Sequence, residues 1–307
     1  RYPNLLVFFF SAHLCGVFGI VLFKRGFDMA KIYVAKINLI DFSKDFKEGN
    51  IYPQDKMKIL FNGLGKNLSV DDMTDNNIFY RLNIVDQNMD KNTINGRLLK
   101  VSKTKEIETL PNEESNETET NILTNVVSSI PFSFKTDIEQ IAFIQRADFR
   151  KEKFLDYFKT LIEEHFPEVG EVNFQLLFDK GELYKKLNRI DKLTFASFIL
   201  VKPNGIADKL LEEIGDALIE ADAKEASFTL KGDRKKPLDK GSIIFKNLLE
   251  YVGNGWGKFK GTGYSDEEHK MIDIDTSKEV LKTYPVNEVN KDSPIFIQNR
   301  AFYYDEE

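Results

Sequence analysis

The sequence predicts an α/β or α+β fold, with a β-rich N-terminal part followed by a mixed sheet covered by helices. Three observations predict it. Apolar and polar residues alternate along much of the first third, the period of a half-buried strand. From Ile130 onward, short strand patterns alternate with helical stripes. The composition, 42% hydrophobic and 30% charged over 307 residues, is that of a globular chain with enough apolar material for a core. Length alone suggests about two domains, or one large one.

Residues 31–40 read as a strand, with Ile32 and Val34 alternating with Tyr33, and Ile37 and Leu39 with Asn38. A polar region rich in Asn and Asp follows. Tyr80, Leu82 and Ile84 alternate as a second strand, and Asn95-Gly96 reads as a hairpin turn into 97–101. Residues 103–121 are acidic and polar, the best loop or linker in the chain. PFSFK and QIAFIQ read as short strands. Phe154, Phe158, Leu161, Ile162 and His165 share one helical face. A strand at 172–178 and a short helix at 183–190 come next. The continuous apolar run 193–201 suggests a strand buried on both faces. A helical stripe at 210–219, a strand at 226–230 and a helix at 242–252 follow. The Gly-rich stretch 253–263, a strand at 270–274 and a terminal strand near 295–297 close the order. The division expected is an apolar leader (1–28), a β-rich part (29–121) and a mixed α/β part (122–307).

Residues 5–23 carry no formal charge, and as a helix they would span roughly 28 Å, close to a bilayer core. Lys24 and Arg25 follow, so one reading is an anchor at the inner face of a membrane. The favoured reading starts the protein at Met29, which opens the first strand pattern, and makes it cytoplasmic. His165 and His269 are then the only histidines, and Cys15 is lost with the leader. Thiol nucleophiles and Cys-based zinc sites are excluded, and no G-x-S-x-G supports a serine triad. No cofactor or resident metal is expected.

The formal charge of −6 makes the chain no bulk polyanion binder, so a nucleic-acid site has to be a local patch. Gly63-Leu64-Gly65-Lys66 lacks the Ser or Thr of a phosphate-binding loop and reads as a turn. Gly253, Gly255 and Gly257 are too closely spaced for a dinucleotide fingerprint. The densest basic cluster is Lys231, Arg234, Lys235, Lys236 and Lys240. Lys258 and Lys260 follow, interleaved with Trp256, Phe259 and Tyr264. Basic side chains neutralise phosphates and aromatic faces stack on bases. On a strand, Trp256, Lys258 and Lys260 share one face. A solvated loop beside a lysine-protected edge strand is the plainer alternative. Asp273 and Asp275, on one side of a strand, are the candidate ligands of a metal-dependent nuclease. His165 reads as a core or boundary histidine, and His269 as exposed.

Four segments together resemble a bacterial family, domain of unknown function 4747. They are IYVAKINL (32–39), LTFASFILVKPNG (193–205), NGWGKFKGTG (254–263) and IDTSKEVLKTYPV (274–286). The resemblance spans nearly the whole chain after the leader. It implies no catalytic residues. A fainter likeness, of pattern rather than motif, is to phage-exclusion proteins of the Rex A type. It implies nucleic-acid sensing and abortive infection, in a setting of plasmids and prophages. The function expected is thus a phage-defence protein acting through nucleic acid. Its partners would be DNA or RNA, with a second protein of the same operon as a further candidate. The alternatives are a metal-dependent nuclease and, if the leader is real, a membrane-tethered interaction module.

Overall fold

The structure is a computed structural model. It describes residues 30–40, 53–65, 68–106, 121–147, 149–201, 217, 218, 220, 221, 223–286 and 290–303.

Strand β1 (Lys31–Ile40) shows how the apolar pattern divides. Tyr33, Ala35, Ile37 and Leu39 face one side and pack with the largest apolar cluster. Ile32 and Val34 face the other side and join a smaller cluster. Strands β2 (Ser69–Asp71), β3 (Ile78–Asn88), β4 (Thr93–Glu106), β5 (Asn121–Lys135) and β6 (Gln140–Ile144) extend the sheet in sequence. Its order ends at β1 and β12 (Thr283–Pro285), with β7 (Glu171–Leu176) beside β1 as well. β7 and β12 lie end to end along one edge of β1, and β6 lies along the other.

Helices α1 (Pro53–Gly63) and α2 (Lys151–His165) cover one face of this sheet. Phenylalanine fills the layer between them. Phe154 stacks on Phe143 at 4.2 Å between ring centroids, and Phe158 meets Phe132 edge to face at 5.2 Å. That packing accounts for much of the heavy use of Phe.

The second sheet is built from β8 (Lys192–Val201), β9 (Glu225–Lys231), β10 (Gly257–Ser265) and β11 (Lys270–Asp275), in the order β11-β10-β8-β9. Helices α3 (Lys180–Asn188) and α4 (Ile243–Gly253) pack on one face of it, where Leu183, Leu187, Phe198, Phe245 and Phe259 form the core. The chain leaves the first sheet after β7 and rejoins it at β12, so the second sheet is inserted between those strands. The two connections touch: the Lys282 N–H donates to the Leu177 carbonyl at 2.8 Å. Helix α5 (Pro294–Phe302) then closes the other face of the first sheet over Val34, Ala142 and Ile144.

The architecture is α+β and rich in strand, and the ladders in both sheets are antiparallel. Several expectations are corrected. The 121/122 division is not a structural boundary, because β4 and β5 pair from Thr93↔Lys135 to Glu106↔Asn121. Asn95-Gly96 is not a turn but lies inside β4. A Cβ on Gly96 would sit 2.8 Å from the Asn83 carbonyl oxygen and 2.9 Å from Phe132, so close packing requires the glycine there. The β3–β4 turn lies at 89–92 instead. β8 is buried on one face only. The terminal segment is helical, not a strand: Ser293 caps α5 by accepting from the Phe296 N–H, and Pro294 occupies the first turn. The leader, residues 107–120 of the acidic loop and most of the 210–219 stripe lie outside the described residues. No helix among the described residues is long and apolar enough to cross a membrane.

Candidate functional site

The second sheet has helices on one side, and no described helix covers the other. The open face follows from the strand period. Along β10, Phe259 and the glycines turn inward, while Lys258, Lys260, Thr262 and Tyr264 turn outward. The register places Lys258 beside Ile199, Lys260 beside Ser197 and Thr262 beside Phe195. β9 adds Ser227, Thr229 and Lys231, the last opposite Phe195. β11 adds Met271, Asp273 and Asp275. The result is a surface of hydroxyls, three lysines and two half-exposed aromatic rings, Phe195 and Tyr264.

Arg234 completes the surface from the loop after β9. Its guanidinium lies over the Tyr264 ring, 4.4 Å from the centroid, and reaches Met271 Sδ at 3.6 Å. Lys235 and Lys236 occupy the same exposed loop. Asp233 shapes it by accepting both of their backbone N–H groups at 2.7 Å. Their side chains extend the positive rim without belonging to the sheet. Lys240, the remaining member of the basic run, is not available to a ligand in the same way. Its ammonium donates to the carbonyls of Leu187 and Ile190 at 2.8 and 2.6 Å, tying down the end of α3. Burial lowers its pKa.

Trp256 is a correction. It is 2% exposed, lies in the second core and does not share the open face. It precedes β10, and its carbonyl accepts the Val201 N–H at 2.9 Å. The ammonium of Lys36, from the first sheet, lies over its ring at 4.0 Å. A base cannot stack there.

The acidic pair is engaged by neighbours. Asp273 accepts from the Thr262 hydroxyl at 2.7 Å. Asp275 accepts from the Ser277 backbone N–H at 3.0 Å and from its hydroxyl, and faces Lys260 at 3.4 Å. Partial burial opposes the charge on Asp275, but Ser277 and Lys260 outweigh it and hold its pKa below the ordinary carboxylate value. Among the described residues, no group of three or more His, Cys, Asp and Glu stands close enough to hold a metal ion. The carboxylates make one edge of the face acidic, so the positive part is the β9–β8–β10 side.

Among the described residues, the two histidines take ordinary places. His165 Nε2 meets the Ser69 carbonyl oxygen at 3.0 Å, and His269 sits in the β10–β11 turn at φ 52°. Gly63 ends α1, as a turn reading of that glycine pair requires. Sequence reasoning missed Phe195, whose apolar run conceals that every second residue is half-exposed. Lys231, Lys258 and Lys260, which stand out in the sequence as a basic pattern, lie exposed on strands of this face.

A family model described as a domain of unknown function (DUF4747) matches residues 74–294. That span takes in β3 through β12, and so the whole open face. No curated protein matches the chain.

Proposed function

Since the chain belongs to the DUF4747 family, a family with no described activity, we propose a function from the site itself: the open face binds single-stranded nucleic acid. One observation carries the reading. Lys231, Lys258, Lys260 and Arg234 meet Phe195 and Tyr264 on a sheet surface that no described helix covers. Cations can track the phosphates while bases lie on ring faces. A flat sheet suits unpaired bases better than a duplex, whose grooves admit a helix or a two-stranded ribbon. Because the protein is acidic overall, binding is local and salt-sensitive.

Fluorescence anisotropy with labelled single-stranded RNA and DNA tests this. With three or four phosphate contacts, log K should fall against log[salt] with a slope of about −2 to −3. Lys258→Glu combined with Lys260→Glu should weaken binding about tenfold or more while circular dichroism stays unchanged. Absence of binding at low salt, or indifference to the double charge reversal, refutes the proposal. The proposed biological setting is phage defence, and it rests on the likeness of pattern to phage-exclusion proteins alone. Plating efficiency unchanged by expression in a bacterial host would remove that part.

A further inference from the structure

The register of the second sheet sets four side chains in one row across its open face. Thr262 on β10 lies opposite Asp273 on β11 and opposite Phe195 on β8, and Phe195 lies opposite Lys231 on β9. Paired residues on neighbouring strands share a face. The row therefore runs carboxylate, hydroxyl, ring, ammonium. With strands about 4.8 Å apart it spans about 14 Å, long enough for one nucleotide from base edge to phosphate. The β8–β10 register shifts just past Thr262, where the Thr194 hydroxyl donates to the Thr262 carbonyl at 3.1 Å. Such an irregularity re-aims the side chains beside it.

The hydrogen-bonding capacity at the acidic end has one sign. An ionised carboxylate only accepts, so the Thr262–Asp273 bond of 2.7 Å uses the hydroxyl's single proton. What remains on Thr262 Oγ1 is acceptor capacity. Each oxygen of Asp273 can accept twice, so both stay usable. Asp273 is exposed, and among the described residues no cation stands at ion-pair distance from it. Asp275 differs, since Lys260 faces it and Ser277 donates to it from both its N–H and its hydroxyl. Phe195 is the ring beside these acceptors. The other ring of the face, Tyr264, already has the Arg234 guanidinium over it.

A nucleotide laid along the row has its phosphate at Lys231, its base on Phe195 and its Watson–Crick edge at Thr262 and Asp273. An edge that meets only acceptors has to donate. Guanine offers two adjacent donors there, N1–H and N2–H, which match the two oxygens of a carboxylate as a fork. Uracil has one N–H between two carbonyls. Adenine and cytosine each set an acceptor ring nitrogen beside their amino group. With those three bases, an acceptor faces the carboxylate. A negative charge on a phosphate-binding surface otherwise only weakens binding, so its use is to discriminate between bases.

We infer that the open face selects guanine within a single strand, and that Asp273 sets the selection. The inference rests on the single-strand reading of that face. The full chain is titrated by fluorescence anisotropy with labelled uridine decamers carrying one central guanine, adenine, cytosine or inosine, and with thymidine decamers carrying the same bases on deoxyribose. The guanine decamer should bind about tenfold tighter than the adenine, cytosine and unsubstituted ones. Inosine lacks the 2-amino group and should lose most of that gain. A preference in both series, or in one alone, supports the inference and identifies which backbone supplies the guanine. Asp273→Asn should abolish the preference without weakening the unsubstituted strand. Lys258→Glu with Lys260→Glu should weaken all the decamers alike. Equal affinity for every decamer, inosine bound as tightly as guanine, or a preference that persists in Asp273→Asn overturns the inference and leaves single-strand binding standing. Absence of binding to every decamer at low salt removes both.

Discussion

Asp72 is a buried carboxylate surrounded by donors. One oxygen accepts from the Thr74 N–H and hydroxyl at 2.8 and 2.7 Å and from the Asp75 N–H at 3.2 Å. The other accepts from the hydroxyls of Tyr157 and Tyr80 at 2.8 and 3.1 Å. The two rings stack at 3.5 Å, so one side chain ties the end of β2 to α2 and β3. Burial opposes the charge, but the donors from Thr74, Tyr157 and Tyr80 outweigh it and hold the Asp72 pKa well below the ordinary value. A depressed carboxylate pKa stabilises the fold above its unfolded value of about 4, and that stability is lost as pH falls below it. Asp72→Asn should cost about 1–3 kcal/mol at neutral pH in denaturant titration, and should flatten the loss of stability below about pH 4. Tyr157 behaves in the opposite sense. Burial, then the hydrogen bond to Asp72, push its pKa up to about 12. Its contribution is present below the unfolded value of about 10 and is lost as pH rises through about 12.

At the scale of elements, strands with clean alternation were legible, as β1, β9 and β11 show, and so was β6 as a short apolar run. So were α2 and α4, whose apolar stripes are long. Short or ambiguous runs were not. The segment 295–297 carries two isoleucines and a phenylalanine, and only the cap at Ser293 with Pro294 makes it helical. Helix α1 was missed because its apolar positions, Met57, Leu60 and Phe61, lie in a stretch dominated by polar neighbours. β8 misled because Phe195 and Ile199 on its open face are as apolar as Phe198 and Leu200 on its closed one. Lys240 shows how a basic run divides by role. It ends α3 through two carbonyls, whereas Lys258 and Lys260 face outward. Lys240→Met should therefore destabilise the protein by about 1–2 kcal/mol in denaturant titration, yet leave affinity for single-stranded nucleic acid unchanged.

At the scale of the whole molecule, the insertion of one sheet into another governs what the sequence could reveal. The open face draws on 195–275, a region where basic and aromatic residues lie close together in the chain, so its lysines stand out as a local cluster. A cleft between the two sheets joins Lys36, Glu139, Lys180, Trp256 and Lys282, which are far apart in sequence and carry no shared motif. Nor could local patterning place β12 beside β1, since that pairing spans the entire insertion. The topology makes its own prediction. Leu177 and Lys282 are hydrogen-bonded neighbours, so replacing 178–281 with a short Gly-Ser linker should leave the first sheet able to fold. A fragment of 122–307 should not fold, because it removes β1 to β4 from that sheet. Circular dichroism and proton NMR dispersion distinguish the two.

The open face itself is tested most directly by photo-crosslinking single-stranded RNA to the protein and mapping the joined peptides by mass spectrometry. The account predicts crosslinks at Phe195, Tyr264 and Met271, lost when Lys258 and Lys260 are reversed to glutamate. Crosslinks confined to the first sheet, or unchanged by that reversal, would contradict it.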